Sequence, residues 1–302
     1  MSKRFSKPSS TCLVVLVALM YMAGCSSNDP LLPLDQSQPP KLPPVSTMKM
    51  DLSFFASAPV SETSIQTGIV EQELLSQYPT KYNFINAAVR VLYVQLLVYA
   101  ALEPPIAAFL VAAHSIPQQQ PDGSWLWTYI FVDGDIEYSI FLRGKKLPDR
   151  TEWSMRVSSS DPDMPLDHFL WFEGEVMIDD SAGYWQFYEP ADAMSVTVTS
   201  AEEVISETPG VPSVRIDYEN LPGDTHMLAI LVNKSGSPDE GDTVEFFESP
   251  ALSYLEYHDV SEGLVANITW YADGSGSIEV PDYNNGEKAC WDERQHDVSC
   301  SQ

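Results

Sequence analysis

The sequence predicts a mainly β fold of the α+β kind: one antiparallel meander curled into a barrel or half-barrel, with N-terminal apolar helices packed on its concave face. Three observations carry that prediction. Beyond residue 123, about a dozen short strand-like runs are separated by hairpin-sized turn clusters, with no helical stretch between them. All seven tryptophans lie in that part, from Trp125 to Trp291. Before it, residues 84–102 are apolar nearly all round, so they need burial on every side, which a curved sheet supplies.

The first 24 residues combine a basic start (Lys3, Arg4, Lys7), an apolar run from Cys12 to Met22, and small residues leading to Cys25. These are the parts of a secretory signal. The apolar run, at about 1.5 Å per residue, falls short of a hydrocarbon core of ~30 Å, so it is not a transmembrane span. Its closing tetrad, Met22-Ala23-Gly24-Cys25, resembles the lipobox of bacterial lipoproteins. The resemblance implies cleavage before Cys25 and its acylation with long chains such as palmitate. Each buried methylene contributes ~0.8 kcal/mol, so several chains anchor the protein firmly. Ser26 follows the cysteine where an aspartate would signal inner-membrane retention. By that resemblance, the destination is the outer membrane, facing periplasm or cell surface.

Three regions follow: a signal peptide over 1–24, lipidated Cys25 with a tether over 25–60, and one folded domain over 61–302. Ser26 to Thr47 holds six prolines, which keep such a tether extended. Loss of the signal peptide removes three positive charges and moves the formal charge from −27 to −30. A surface this acidic repels nucleic acid, which is excluded as a partner, and serves solubility; calcium decoration of the carboxylates is the rival reading.

Residues 63–116 read as helical. Thr63-Ser-Ile-Gln66 fits a capping box. The apolar helix over 84–102 is expected to stop before Pro104 and Pro105, with a second short helix over 106–114. Arg90 and Gln95 interrupt the apolar run and favour a buried helix over a membrane span.

The clearest β unit is Ser124–Leu142, expected to turn at Asp133-Gly134 with type I′ chemistry. That loop pairs Val132 with Asp135, Phe131 with Ile136, Tyr129 with Tyr138, Trp127 with Ile140 and Trp125 with Leu142. One face is then wholly apolar and the other, with Thr128, Ile130, Glu137 and Ser139, is mixed. Further strands are expected at 152–158, 169–178, 184–189, 195–199, 213–219, 226–233, 243–248, 253–258, 264–271 and 277–280.

Apart from Cys25, the exported chain holds Cys290 and Cys300, for which an oxidising compartment predicts a disulfide. With His296 they supply too few ligands for a metal. No nucleophile elbow, zinc-protease, phosphate-loop or dinucleotide motif is present. No catalytic residue and no cofactor are expected. Asp161, Asp163, Asp167 and His168 form the best cation-binding candidate, although they lack EF-hand spacing. Glu256 and His258 share one strand face beside Asp259, a pairing suited to acid–base work only in a cleft. Trp127, Tyr129, Tyr138 and Trp153 are the candidates for lining a ligand pocket, with Trp125, Trp171 and Trp185 as further aromatics.

Two functions are expected from these features. The first is a non-catalytic module enclosing a hydrophobic small molecule between helix and curved sheet; in general shape, over residues 84–289, it is similar to the open barrels of periplasmic lipoprotein carriers and their outer-membrane receptor, with no shared motif. The second is a structural or interaction protein of the envelope with a filled core and a protein partner. An enzyme stands third.

Overall fold

The helix spanning Tyr82–Ala112 organises the molecule, whose computed structural model describes residues 37–191 and 210–300. Two short helices precede it, α1 (Glu62–Thr67) and α2 (Gln72–Gln77), and the long one is α3. The strands are β1 (Gln118–Gln119), β2 (Trp125–Asp133), β3 (Ile136–Lys146), β4 (Arg150–Ser159), β5 (Leu166–Met177), β6 (Ala182–Pro190) and β7 (Gly210–Leu221). They continue as β8 (Thr225–Val232), β9 (Thr243–Glu248), β10 (Leu252–Asp259), β11 (Leu264–Tyr271), β12 (Gly276–Glu279), β13 (Ala289–Trp291) and β14 (Asp297–Val298). Among the described residues, all fourteen strands lie in one sheet in sequence order, so each pairs only with its chain neighbours. The predicted antiparallel meander is the observed one.

The sheet is open, because β1 and β14 do not pair. α3 touches β2 and β3 towards one edge and β12, β13 and β14 at the other, so the sheet curls around it. Phe84, Ala87, Ala88, Val91, Val94, Val98, Leu102, Ile106 and Phe109 are buried, at helical spacings of one face, whereas Leu96, Leu110 and Val111 are exposed. Tyr82–Ala100 is long and apolar enough to cross a membrane, yet this face sits in the core. Arg90 reaches the rim, where Asp282 accepts from it at 2.8 Å. The expected break at Pro104-Pro105 does not occur, and α3 continues to Ala112. Each proline costs about 3 kcal/mol in a helix interior, while burial of Leu102, Ile106 and Phe109 returns roughly 1.5–3 kcal/mol apiece.

The folded region also starts earlier than residue 61. Met48, Met50, Leu52 and Phe55 are core residues, Trp185 donates to Thr47 Oγ1 at 3.1 Å, and the Met50 amide donates to the Tyr99 hydroxyl at 2.6 Å. The prolines hid this apolar alternation. The N-cap of α1 is Ser61 rather than Thr63: its Oγ accepts from the Ser64 amide at 3.0 Å and donates to Glu71 at 2.5 Å.

In the β2–β3 hairpin the loop is Gly134-Asp135, not Asp133-Gly134, and Asp133 pairs with Ile136, Phe131 with Tyr138, Tyr129 with Ile140, Trp127 with Leu142 and Trp125 with Gly144. Gly134 has φ +61° whereas Asp135 has none of the positive φ that type I′ demands of both loop residues. Glycine in the first loop position is the requirement of type II′. The slip is two residues, so every side chain keeps its predicted face. Most other strands match within one to three residues. β1, β13 and β14, of two or three residues each, are additions, and the strand expected at 195–199 lies outside the described residues.

Tight curvature has a visible device. Gly144 faces Trp153, Gly174 faces Trp185, Gly183 faces Tyr218 and Gly276 faces Trp291, each as a direct cross-strand pair. A β-carbon at Gly144, Gly174 or Gly183 would lie 2.8, 2.5 or 2.7 Å from that ring, and at Gly276 closer still. The missing side chains let large rings lie flat on the inner surface of the neighbouring strand.

The tail closes the structure. Cys290 and Cys300 form the expected disulfide. Between them, the Asp297 carboxylate accepts from the Tyr82 and Asn83 amides at 3.1 and 2.9 Å, and the Asp297 amide donates to Thr80 O at 2.7 Å. An anion from the far end of the chain therefore caps the positive end of α3.

Candidate functional site

In the interior the protein's own aromatic rings pack against one another. Phe55 packs on Trp270 and Phe84 at 5.0 and 5.8 Å, Phe84 on Trp291 at 5.8 Å, and Phe172 on Phe109 and Trp185 at 6.2 and 5.6 Å. Of the expected lining residues, Trp127 and Trp153 are buried against each other at 5.7 Å. Tyr129 and Tyr138 are half-buried and flank Phe131 at 5.8 and 4.7 Å. Together they form an aromatic row that leaves the core and ends in solvent at the hairpin tip. Trp185 is in the core, and Trp125 and Trp171 pack against it partly buried.

The cation candidate does not gather. Asp161 accepts from the Asp163 amide at 2.9 Å, and Asp167 meets His168 Nδ1 at 2.8 Å, while the His168 ring stacks on Phe141 at 5.2 Å. Among the described residues no three His, Cys, Asp or Glu side chains form a metal-holding group. Glu256 and His258 are joined at 2.5 Å, and Tyr254 also donates to Glu256. Those bonds, from His258 first, hold the Glu256 carboxyl below its ordinary pKa. Both lie half-buried on the outer face of β10, where burial alternates with inward Leu255 and Tyr257.

A groove that single-strand reasoning missed lies on the outer face of β3 to β6, with a volume of about 360 Å³. Register sets its plan. One cross-strand row runs Arg143, Ser154, Glu173; the next runs Lys145, Glu152, Glu175, Tyr184. Ser154 is the short side chain among long ones, and the depression forms above it. Arg143 donates to Ser124 Oγ at 2.9 Å and pairs with Asp122, whose pKa is held at about 2 by its bonds from Ser124 and then by Arg143. Arg150 pairs with Glu175 at 3.2 Å and Glu152 at 3.5 Å, Tyr188 donates to Glu173 at 2.6 Å, and Arg215 lies over the Tyr184 ring at 4.2 Å.

These charged groups pair with one another. The available sequence signal was a concentration of cations: five of the chain's sixteen Lys and Arg residues fall at 143, 145, 146, 150 and 156. No family model matches the chain, and neither curated proteins nor solved structures give a significant match. The lipidation candidate Cys25 lies outside the described residues.

Proposed function

We propose that this chain is an outer-membrane-anchored lipoprotein, held through acylated Cys25 and facing periplasm or cell surface, that works as a non-catalytic interaction protein. The observation that carries the reading is the filled concavity: α3 and the Met48–Phe55 segment occupy the space that a hydrophobic small molecule would need. Chemistry is thus left to the exterior, where the β3–β6 groove and the apolar β2–β3 tip are presented. The signal anatomy ending in Met22-Ala23-Gly24-Cys25 supports the anchor.

Native mass spectrometry of the purified mature chain, followed by organic extraction, tests the filled core. The expected result is a protein mass without a stoichiometric lipid beyond the covalent one; a reproducible noncovalent lipid would return the carrier reading. For the anchor, Cys25→Ser should move the protein from the membrane to the soluble fraction, and unchanged fractionation would refute acylation as the tether.

A further inference from the structure

The open side of the sheet ends in an unguarded strand. Among the described residues, β1 covers β2 only at Trp125 and Leu126, leaving Trp127 to Asp133 as an edge. The two-residue hairpin loop makes Asp133 and Ile136 a hydrogen-bonded pair, so alternation assigns Phe131, Tyr129 and Trp127 to bonds with β3. Thr128, Ile130 and Val132 then direct their amides and carbonyls away from the sheet. The same series continues at Leu126, the residue that pairs with Gln118 of β1. Thr128, Ile130 and Val132 are all exposed, Ile130 by 56% and Val132 by 64%. Natural edges are blunted by lysine, proline, bulges or short length. This one has none of these: it is seven residues long, WTYIFVD, in unbroken register with β3. The opposite edge, β14, has two residues and is tied down by the disulfide.

We propose that this edge pairs with the same edge of a second copy, antiparallel about a two-fold axis at Ile130. Strand chemistry selects that occupant. Centred on Ile130, Thr128 faces Val132, Ile130 faces itself, and about six backbone hydrogen bonds form. Tyr129 faces Phe131 twice, extending the aromatic row already stacked on Tyr138. The only charged residue in the strand, Asp133, faces Trp127. A chain with 43 acidic residues thus meets itself here without opposing carboxylates in the paired segment. An isologous contact of this kind closes as a dimer and leaves no growing end.

Sedimentation equilibrium of the purified full-length chain should show a reversible monomer–dimer equilibrium. It should tighten with added salt, because each copy carries a formal charge of −27. Ile130→Pro removes an outward amide that the intramolecular ladder does not use, and proline is tolerated at such edge positions. It should weaken the dimer by about tenfold or more while leaving the unfolding midpoint nearly unchanged. Ile130→Cys supplies a readout independent of that variant's folding. Facing Cα atoms in a bonded antiparallel pair are ~5.5 Å apart, within disulfide range, so mild oxidation should give a covalent dimer. Val132→Cys, displaced from its own copy by about 13–14 Å along the strand, should not crosslink. A chain monomeric at every concentration and salt, or a dimer that survives Ile130→Pro, would overturn the proposal. A monomer whose edge instead takes up an extended peptide of another protein would also overturn the assignment to a second copy.

Discussion

Removing the Cys290–Cys300 disulfide tests how the tail holds the central helix. The bridge closes a sequence separation of ten residues, for which the loop-entropy relation gives about 2.7 kcal/mol at 25 °C. Asp297 sits inside that loop and supplies both amide acceptors at the start of α3, a cap whose loss costs about 1 kcal/mol. If the bridge keeps Asp297 in place, the two effects overlap: Asp297→Ala should cost less in the Cys290→Ser/Cys300→Ser background than alone. The double serine variant should lose about 2–3 kcal/mol, or roughly 4–6 °C in melting temperature for a chain of this size. Urea unfolding of wild type, Asp297→Ala, the serine pair and the triple variant completes the cycle. Costs that add to within about 0.5 kcal/mol would refute the coupling, showing that the β13–β14 hairpin positions the cap unaided.

Other perturbations address separate parts of the fold. Gly174→Ala places a methyl 2.5 Å from the Trp185 ring and hard against the Tyr184 carbonyl, so chemical denaturation should register a loss of about 1–3 kcal/mol; a neutral result would refute the glycine–ring account of curvature. Gly134→Ala has open space but a φ of +61°, so it should cost about 1 kcal/mol of stability through backbone strain alone. Buried Asp242 accepts from the Tyr257 hydroxyl at 2.6 Å and the Val260 amide at 2.9 Å, and burial raises its pKa against those bonds. A raised folded pKa contributes stability below the unfolded value of about 3.9 that is lost as pH rises through the folded one. Melting temperatures of Asp242→Asn relative to wild type should therefore shift in the variant's favour from acid to neutral pH, and a constant difference would refute the assignment.

His226 offers the opposite sign. Burial lowers its pKa, with Asp51 pulling the other way, so its neutral form is favoured in the folded state and its contribution is lost as pH falls below about 6.5. His226→Gln should remove that acid-side loss from the stability profile, measured by urea midpoints between neutral and mildly acid pH.

What the sequence determined by itself was periodicity and its punctuation. The strand pattern yielded the meander, eleven of the fourteen described strands and the inward face of the β2–β3 hairpin, because alternation survives a two-residue slip such as that at Asp133. Cys290 and Cys300 were legible as a pair because they lie ten residues apart, while the other two cysteines, Cys12 and Cys25, lie at the opposite end of the chain. The tertiary structure decided everything that depends on what lies across a gap. Only packing carried α3 through Pro104 and Pro105, since local preference opposes it and core burial overrides it. Met48, Met50 and Phe55 looked like tether until their partners Tyr99 and Trp270 came into contact from elsewhere in the chain. The outer groove needs side chains from four strands in register, and no single strand carries its pattern. The free edge of β2 is the same kind of fact: its residues read as an ordinary strand, and only the shortness of β1 and the open sheet leave their backbone without a neighbour among the described residues.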